Sequence, residues 1–177
     1  KCGRTWIRSL VNHYFYLLYP LSVTQDNYIY WGQKPIIRFS HLGKTLDSKA
    51  ITKKLGPFKK NNNILLFRDP RDVFVSYFIH ITKAGHYPDD KQIDWNSVSI
   101  SDVLRNETYG IKQVVNYMNS VMKTIYSEEK SLLLSYEAFK ADTKKEFLIL
   151  LKFLGDKVLS DRAINAAIDY CSFENMQ

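Results

Sequence analysis

Two short stretches combine residue types and spacings that could do chemistry. The first is Lys1-Cys2-Gly3-Arg4-Thr5, which stands directly before a run with helical periodicity. Backbone N–H groups at a helix start attract anions, and glycine lets an oxyanion come close to the chain. Lys1 would add a point charge on a phosphate oxygen. The residue order is not that of a Walker A loop. Taken alone, an ordinary helix start after an exposed lysine is the simpler account. The second stretch is "ILLFRDPRDVFVSYF", Ile64–Phe78. Arg68 follows an apolar run that reads as a parallel strand, and ligands of open α/β sheets bind beyond such carboxyl ends. Ser76 lies eight residues further on, inside the next helix. A guanidinium and a hydroxyl so placed could converge on one phosphate. The competing account is a surface pair, Arg68–Asp72 or Arg71–Asp69, beside a capped helix, and spacing alone favours it.

The elements that must position these residues alternate between helix and strand, which predicts an α/β domain with a largely parallel sheet. Trp6, Leu10, Tyr14 and Leu17 recur at helical spacing, and Pro20 closes that helix. Pro35–Phe39 and Asn63–Phe67 read as strands. Asp69 is a good N-cap, Pro70 suits the first helical position, and Asp72 favours the helix dipole, so a helix is expected to about Lys83. Lys83–Ser101 reads as a long functional loop. Ile111, Val115, Met118, Met122 and Ile125 form an apolar helical stripe in which the methionines fill core space. Ser131–Tyr136 reads as a buried strand. Asp142 or Thr143 starts a helix that Gly155 stops, and Ser160 caps the last one.

The 177 residues suffice for one domain with a real core, and 45% apolar content with 12 Tyr and 10 Phe argues against disorder. No apolar run reaches the length of a membrane span; Tyr14–Leu21 is short and broken by Pro20. Two cysteines, Cys2 and Cys171, are too few for a disulfide scaffold, so reduced thiols and a cytoplasmic, intracellular setting are expected. No signal-peptide pattern is read, although the abrupt start leaves a preceding targeting segment open. The four histidines have no acidic cluster at ligand spacing, so no metal is expected. A net charge of +7 favours anionic partners, of which a phosphorylated small molecule is one. The densest basic patch, Lys53–Lys60, reads as a solvated loop rather than a nucleic-acid footprint.

Four segments together resemble the sulfotransferase superfamily. "KCGRTW" is similar to its 5′-phosphosulfate loop, and "LLFRDPRDVFVSYF" to its 3′-phosphate motif. "LLLSYEAFKADTKKEFLILLKFLG" and "CSFENM" resemble two later segments, in the family order and across nearly the whole chain. The resemblance implies a three-layer α/β sandwich related to P-loop NTPases. It implies 3′-phosphoadenosine 5′-phosphosulfate as donor, adenosine 3′,5′-bisphosphate as product, and a small-molecule or carbohydrate acceptor. It puts Lys1, Gly3, Thr5 and Trp6, with the backbone of Cys2 and Arg4, on the phosphosulfate loop. Lys1 would stabilise charge on the leaving phosphate. Arg68 and Ser76 fall on the 3′-phosphate, Tyr136 near the adenine, and Phe173 packed on the adenine with Ser172 beside it. His41, 27 residues before Arg68, falls on the general base. A neutral imidazole suits removal of a hydroxyl proton. Of the other histidines, His13 is expected to be structural, while His86 could meet substrate.

The sequence departs from the family pattern at four places. Arg4 replaces Thr or Asn, and could bind the sulfate or turn outward. Phe39 stands where many members have a lysine, and Cys171 replaces a threonine. The C-terminal loop that closes over the 3′-phosphate has no counterpart in this sequence; nor has the strand before Lys1. Cys2 and Cys171 fall on opposite sides of the implied donor site, so oxidising either would be expected to block it. The rival readings are a P-loop-like kinase using ATP and a polyanion-binding module. Acceptor recognition is expected in Ser22–Lys34 and Lys83–Ser101.

Overall fold

The structure is a computed structural model that describes residues 3–19, 22–25, 28–31, 34–40, 53, 55, 58, 60–84, 93–127 and 129–172. The chain divides into two compact units. One holds helix α1 (Arg4–Leu18), strands β1 (Ser22–Gln25), β2 (Tyr28–Trp31) and β3 (Lys34–Arg38), and helices α5 (Tyr136–Ala141), α6 (Thr143–Phe153) and α7 (Asp161–Tyr170). The other holds β4 (Asn63–Phe67) and helices α2 (Pro70–Ala84), α3 (Ile100–Arg105) and α4 (Ile111–Ile125). Strand β5 (Ser131–Ser135) carries the chain from the second unit back to the first.

In the first unit, α1 buries Trp6, Ile7, Leu10, Val11, Tyr14 and Phe15 against α7. The expected stripe holds at Trp6, Leu10 and Tyr14, but Leu17 is exposed and Phe15 takes its part. Phe139, Phe147, Leu150, Leu151, Ile164 and Ala167 complete this core. Each aliphatic side chain buried there stabilises by about 1.5–3 kcal/mol over exposure. Two of these helices start where the sequence says they should: Asp142 accepts from the Lys145 N–H and Ser160 from Ala163. Helix α5 was not expected; it begins at Tyr136, the last residue of the strand read there, where Ser135 accepts from the Ala138 N–H. Gly155, at φ 80°, ends α6: its N–H reaches the Lys152 carbonyl at 3.0 Å, and the Asp156 N–H reaches Leu151 at 3.1 Å. This is the Schellman arrangement that satisfies the last carbonyls of a helix. Asp156 then accepts from the Tyr14 hydroxyl and, at 3.2 Å, from Tyr19. Burial, then Asp156, push the Tyr14 phenol upward, so it stays protonated and donating.

In the second unit, Leu55, Leu65, Val121 and Ile125 form one apolar cluster, with Phe58, Phe67, Tyr117 and Met122 packed on it. Phe74, Ile81, Trp95, Val103 and Val114 form another, which Met118 joins. The methionines fill core space as expected. The α4 stripe, however, runs through Val114, Val121 and Ile125, while Val115 is exposed. Adjacent valines differ by one position around the helix, and contacts with Phe74 and Trp95 select the first.

The α/β content agrees with expectation, but the sheet is less parallel than expected. Strands β4 and β5 form a small parallel pair. Strands β1, β2 and β3 form an antiparallel meander, with Ser22 opposite Trp31 and Tyr28 opposite Arg38. Residues 22–34 thus hold two strands and the start of a third where no structure was read. Alternating β-branched and aromatic residues around a two-residue Asp-Asn connection were the available signal. Short helix α3, capped by Ser99, likewise cuts into the loop expected at Lys83–Ser101. The expected stop at Pro20 and residues 85–92 of that loop lie outside the described residues. Among the described residues, no helix is long and apolar enough to cross a membrane.

Gly155 isolates one backbone effect. A Cβ there would meet no atom within 4 Å, so only the left-handed φ resists it. Gly155→Ala should destabilise by about 1–2 kcal/mol in urea unfolding. An unchanged midpoint would contradict the strain assigned here.

Candidate anion-binding site

Gly3 turns the chain into α1 with φ 84° and ψ 12°. Its carbonyl accepts the first helical bond, from Ile7 at 3.1 Å. The first N–H groups of a helix have no partner within it. In α3, α5, α6 and α7 a Ser or Asp side chain caps this end. At α1, as at α4, there is no side-chain cap and no acid in the first turn. The end therefore keeps its positive dipole, which an anion would complement. Arg4 is half-buried; burial, then neighbouring Arg8, lower its guanidinium pKa. Thr5 is exposed.

Trp6 fixes what surrounds this end. Its indole N–H donates to the Cys171 carbonyl at 3.0 Å in a buried position. The indole stands edge-on to Tyr136, with centroids 5.9 Å apart at 70°, and to Phe139, 5.8 Å apart at 74°. Tyr136 also lies against Gly3: a Cβ there would fall 2.5 Å from Tyr136 Cδ2. Three of the four segments singled out in the sequence therefore meet at one aromatic cluster. Gly3 and Trp6 come from the first, Tyr136 and Phe139 from the third, and the Cys171 carbonyl from the fourth. Phe139 and the Cys171 carbonyl were not foreseen, because a bond between residues 165 apart leaves no local signal.

The Cys171 thiol is free and buried, and burial pushes its pKa up to about 11. Burial thus disfavours the thiolate, the form through which oxidation and alkylation proceed. His13 stacks on Tyr170 with centroids 4.0 Å apart and planes at 2°, in keeping with a structural role.

Arg68 and Ser76 belong to the other unit. Asp69 caps α2 as expected, accepting the Arg71 N–H at 2.8 Å while its carbonyl takes the Val73 N–H at 3.0 Å. The Arg71 side chain bonds the same carboxylate, chiefly through its side-chain hydrogen bond, and holds its pKa down to about 2. Arg68 donates from Nε at 3.2 Å and Nη2 at 2.9 Å to Asp72. Both surface pairs weighed from the sequence are thus formed. A surface i,i+4 pair of this kind contributes only about 0.3–0.5 kcal/mol. Ser76 is half-buried and sits one turn beyond Asp72, on the same helix face.

Lys1, Cys2, His41, His86 and Phe173 lie outside the described residues, as do Lys54 and Lys59 of the basic patch. Among the described residues no group of three His, Cys, Asp or Glu could hold a metal. An open depression of about 280 Å³ near α3 is lined by Asp94, Ser97, Asp102 and Asn106 together with Ile93, Val98 and Val103. Its first residues fall in the segment from which acceptor contacts were expected.

A family model described as "Sulfotransferase domain" matches residues 1–177, the whole chain. No curated protein matches the chain at a significant level.

Trp6→Phe would keep the aromatic packing and delete the buried N–H donor. It should cost about 1–3 kcal/mol in chemical denaturation, the penalty of leaving a buried carbonyl unsatisfied. A change below about 0.5 kcal/mol would show that the bond does not organise the cluster.

Proposed function

Because the chain belongs to the sulfotransferase domain family, we propose that it transfers a sulfuryl group from 3′-phosphoadenosine 5′-phosphosulfate to an acceptor hydroxyl or amine. The observation that carries this reading is the meeting of Gly3, Trp6, Tyr136 and the Cys171 carbonyl at an uncapped helix start. These residues fit an anionic donor: the start of α1 has no side-chain cap and no acid in its first turn, and half-buried Arg4 is its first residue. The donor supplies a sulfuryl group activated by a phosphate leaving group.

The chain's own residues bind, orient and move one proton. The backbone of Cys2 to Trp6 and the Lys1 ammonium hold the 5′-phosphosulfate, and Lys1 stabilises charge that builds on the phosphate oxygen. Arg68 and Ser76 hold the 3′-phosphate, Arg68 by exchanging or sharing its bond to Asp72. Phe173 packs on the adenine, with Ser172 and Tyr136 at the same end. His41, in its neutral form, takes the acceptor's proton as its oxygen or nitrogen attacks. In-line positioning and charge stabilisation supply most of the rate, as in phosphoryl transfer. The fold that carries this site is read as the family's three-layer sandwich, in one domain over residues 1–177. The acceptor is a small molecule or carbohydrate.

Titration with adenosine 3′,5′-bisphosphate, ATP–Mg²⁺ and an oligonucleotide tests the proposal. Tight binding is expected for the first alone. Arg68→Ala should weaken it about tenfold or more, as loss of a charged hydrogen bond does. His41→Ala should slow turnover by about 10²–10⁴ and spare bisphosphate affinity. Preference for ATP–Mg²⁺ or the oligonucleotide, or full turnover in both variants, would overturn it.

A further inference from the structure

We infer that the depression beside α3 is a binding site for one ring of a neutral sugar, which narrows the acceptor to a carbohydrate. The second clause rests on the sulfuryl-transfer reading above; the first does not. The ground is a buried donor with nothing to bond. Trp95 is 4% exposed, and its indole Nε1 is shielded from solvent and makes no hydrogen bond to any described residue. Buried polar groups are rarely left so, because an unsatisfied donor costs about 1–3 kcal/mol. The depression and the indole share their walls. Ile93 and Val98 line the opening and pack on the apolar cluster that contains Trp95, and Val103 belongs to both. Tyr109 stands edge-on to the indole, with centroids 5.3 Å apart at 83°, and its N–H donates to Asn106 on the rim. Ile93 and Val98 are only half-buried, so rotation of either side chain opens a way to the indole N–H.

The rim sets the ligand's chemistry. Asp94 and Asp102 are exposed and offer carboxylate oxygens. Hydrogen bonds from Ser97, then from the Asn96 N–H, hold the Asp94 carboxyl below its ordinary range, so it stays an acceptor at neutral pH. Asn106 takes the Thr108 and Tyr109 N–H groups on Oδ1, which leaves its amide N–H groups to donate. The ligand must therefore donate to the carboxylates and accept from Trp95 and Asn106. Hydroxyl groups do both, whereas an ammonium only donates. A phosphate or carboxylate would be repelled by the two aspartates. The apolar wall of Ile93, Val98 and Val103 suits the C–H face of a ring. At about 280 Å³ the space lies at the small end for ligand pockets, which fits one ring rather than a chain. Helix α2, which carries Ser76, packs on the same cluster through Phe74 and Ile81, within one unit.

Methyl α-D-glucoside, a single neutral ring, tests the site in the wild-type chain through the nuclear magnetic resonance of the Trp95 indole N–H. Adding the glucoside should shift that resonance and slow its exchange with solvent, while the Trp6 indole N–H stays in place. Asp102→Asn should weaken the glucoside about tenfold, the scale of one charge-assisted hydrogen bond. Trp95→Phe, which keeps the packing and deletes the donor, should weaken it about two- to tenfold. An unmoved Trp95 resonance overturns the site even where a variant does not fold. An equal response to cyclohexanol or to methylammonium, or unchanged affinity in the Asp102 variant, overturns it as well. The acceptor role is read separately. With the sulfuryl donor and an oligosaccharide acceptor, Asp102→Asn should raise KM about tenfold and change kcat less. An unchanged KM overturns that role. Failure of the wild-type chain to bind adenosine 3′,5′-bisphosphate would instead overturn the donor reading, and the sugar site would still stand or fall on the Trp95 resonance.

Discussion

The buried bond from the Trp6 indole to the Cys171 carbonyl is the constraint on which the candidate site depends. A tryptophan buries roughly 150–250 Å², worth about 4–6 kcal/mol by area. Burial alone would not set its orientation. The single N–H does that, because leaving it or its carbonyl unpaired would cost about 1–3 kcal/mol. Once the indole is fixed, its edges fix Tyr136 and Phe139, and Tyr136 leaves room only for a glycine at position 3. Packing, hydrogen bonding and backbone conformation therefore act in series, ending at the N–H groups of a helix start.

Electrostatics at the Arg68 end work differently. Each arginine there has an acidic neighbour: Asp72 for Arg68, and Asp69 for Arg71. Asp69 is doubly engaged, capping α2 and pairing with Arg71, and this explains its depressed pKa. Asp72 does less for the helix, and its pair with Arg68 is an exposed i,i+4 contact. Such contacts orient a side chain more than they stabilise a fold. The net charge of +7 gives the chain a general attraction for anions.

Local features were legible in the sequence. Strand β4 occupies the residues read for it, and the caps at Asp69, Asp142 and Ser160 and the stop at Gly155 follow from short-range chemistry. What tertiary contacts decide was not legible. Val114 rather than Val115 faces inward because of what α4 packs against, and helical period alone cannot choose between neighbours. The meander of β1, β2 and β3 had a weak signal that alternation with helices masked. Spacing alone was a sound guide to the Arg68–Asp72 pair, which is formed; the donor role proposed for that arginine rests on the resemblance of its segment to the family motif. The Trp6–Cys171 bond, which joins the two ends of the sequence, had no sequence signature.

The central claim is that the helix start at Gly3 is an anion site held in shape by Trp6. Amide and indole chemical shifts recorded while adenosine 3′,5′-bisphosphate is added test it most directly. The Gly3, Arg4, Thr5 and Trp6 amides should shift together, with the Trp6 indole N–H still bonded to Cys171. Unmoved loop amides, with shifts confined to the lysines around Lys53 and Lys60, would contradict the claim.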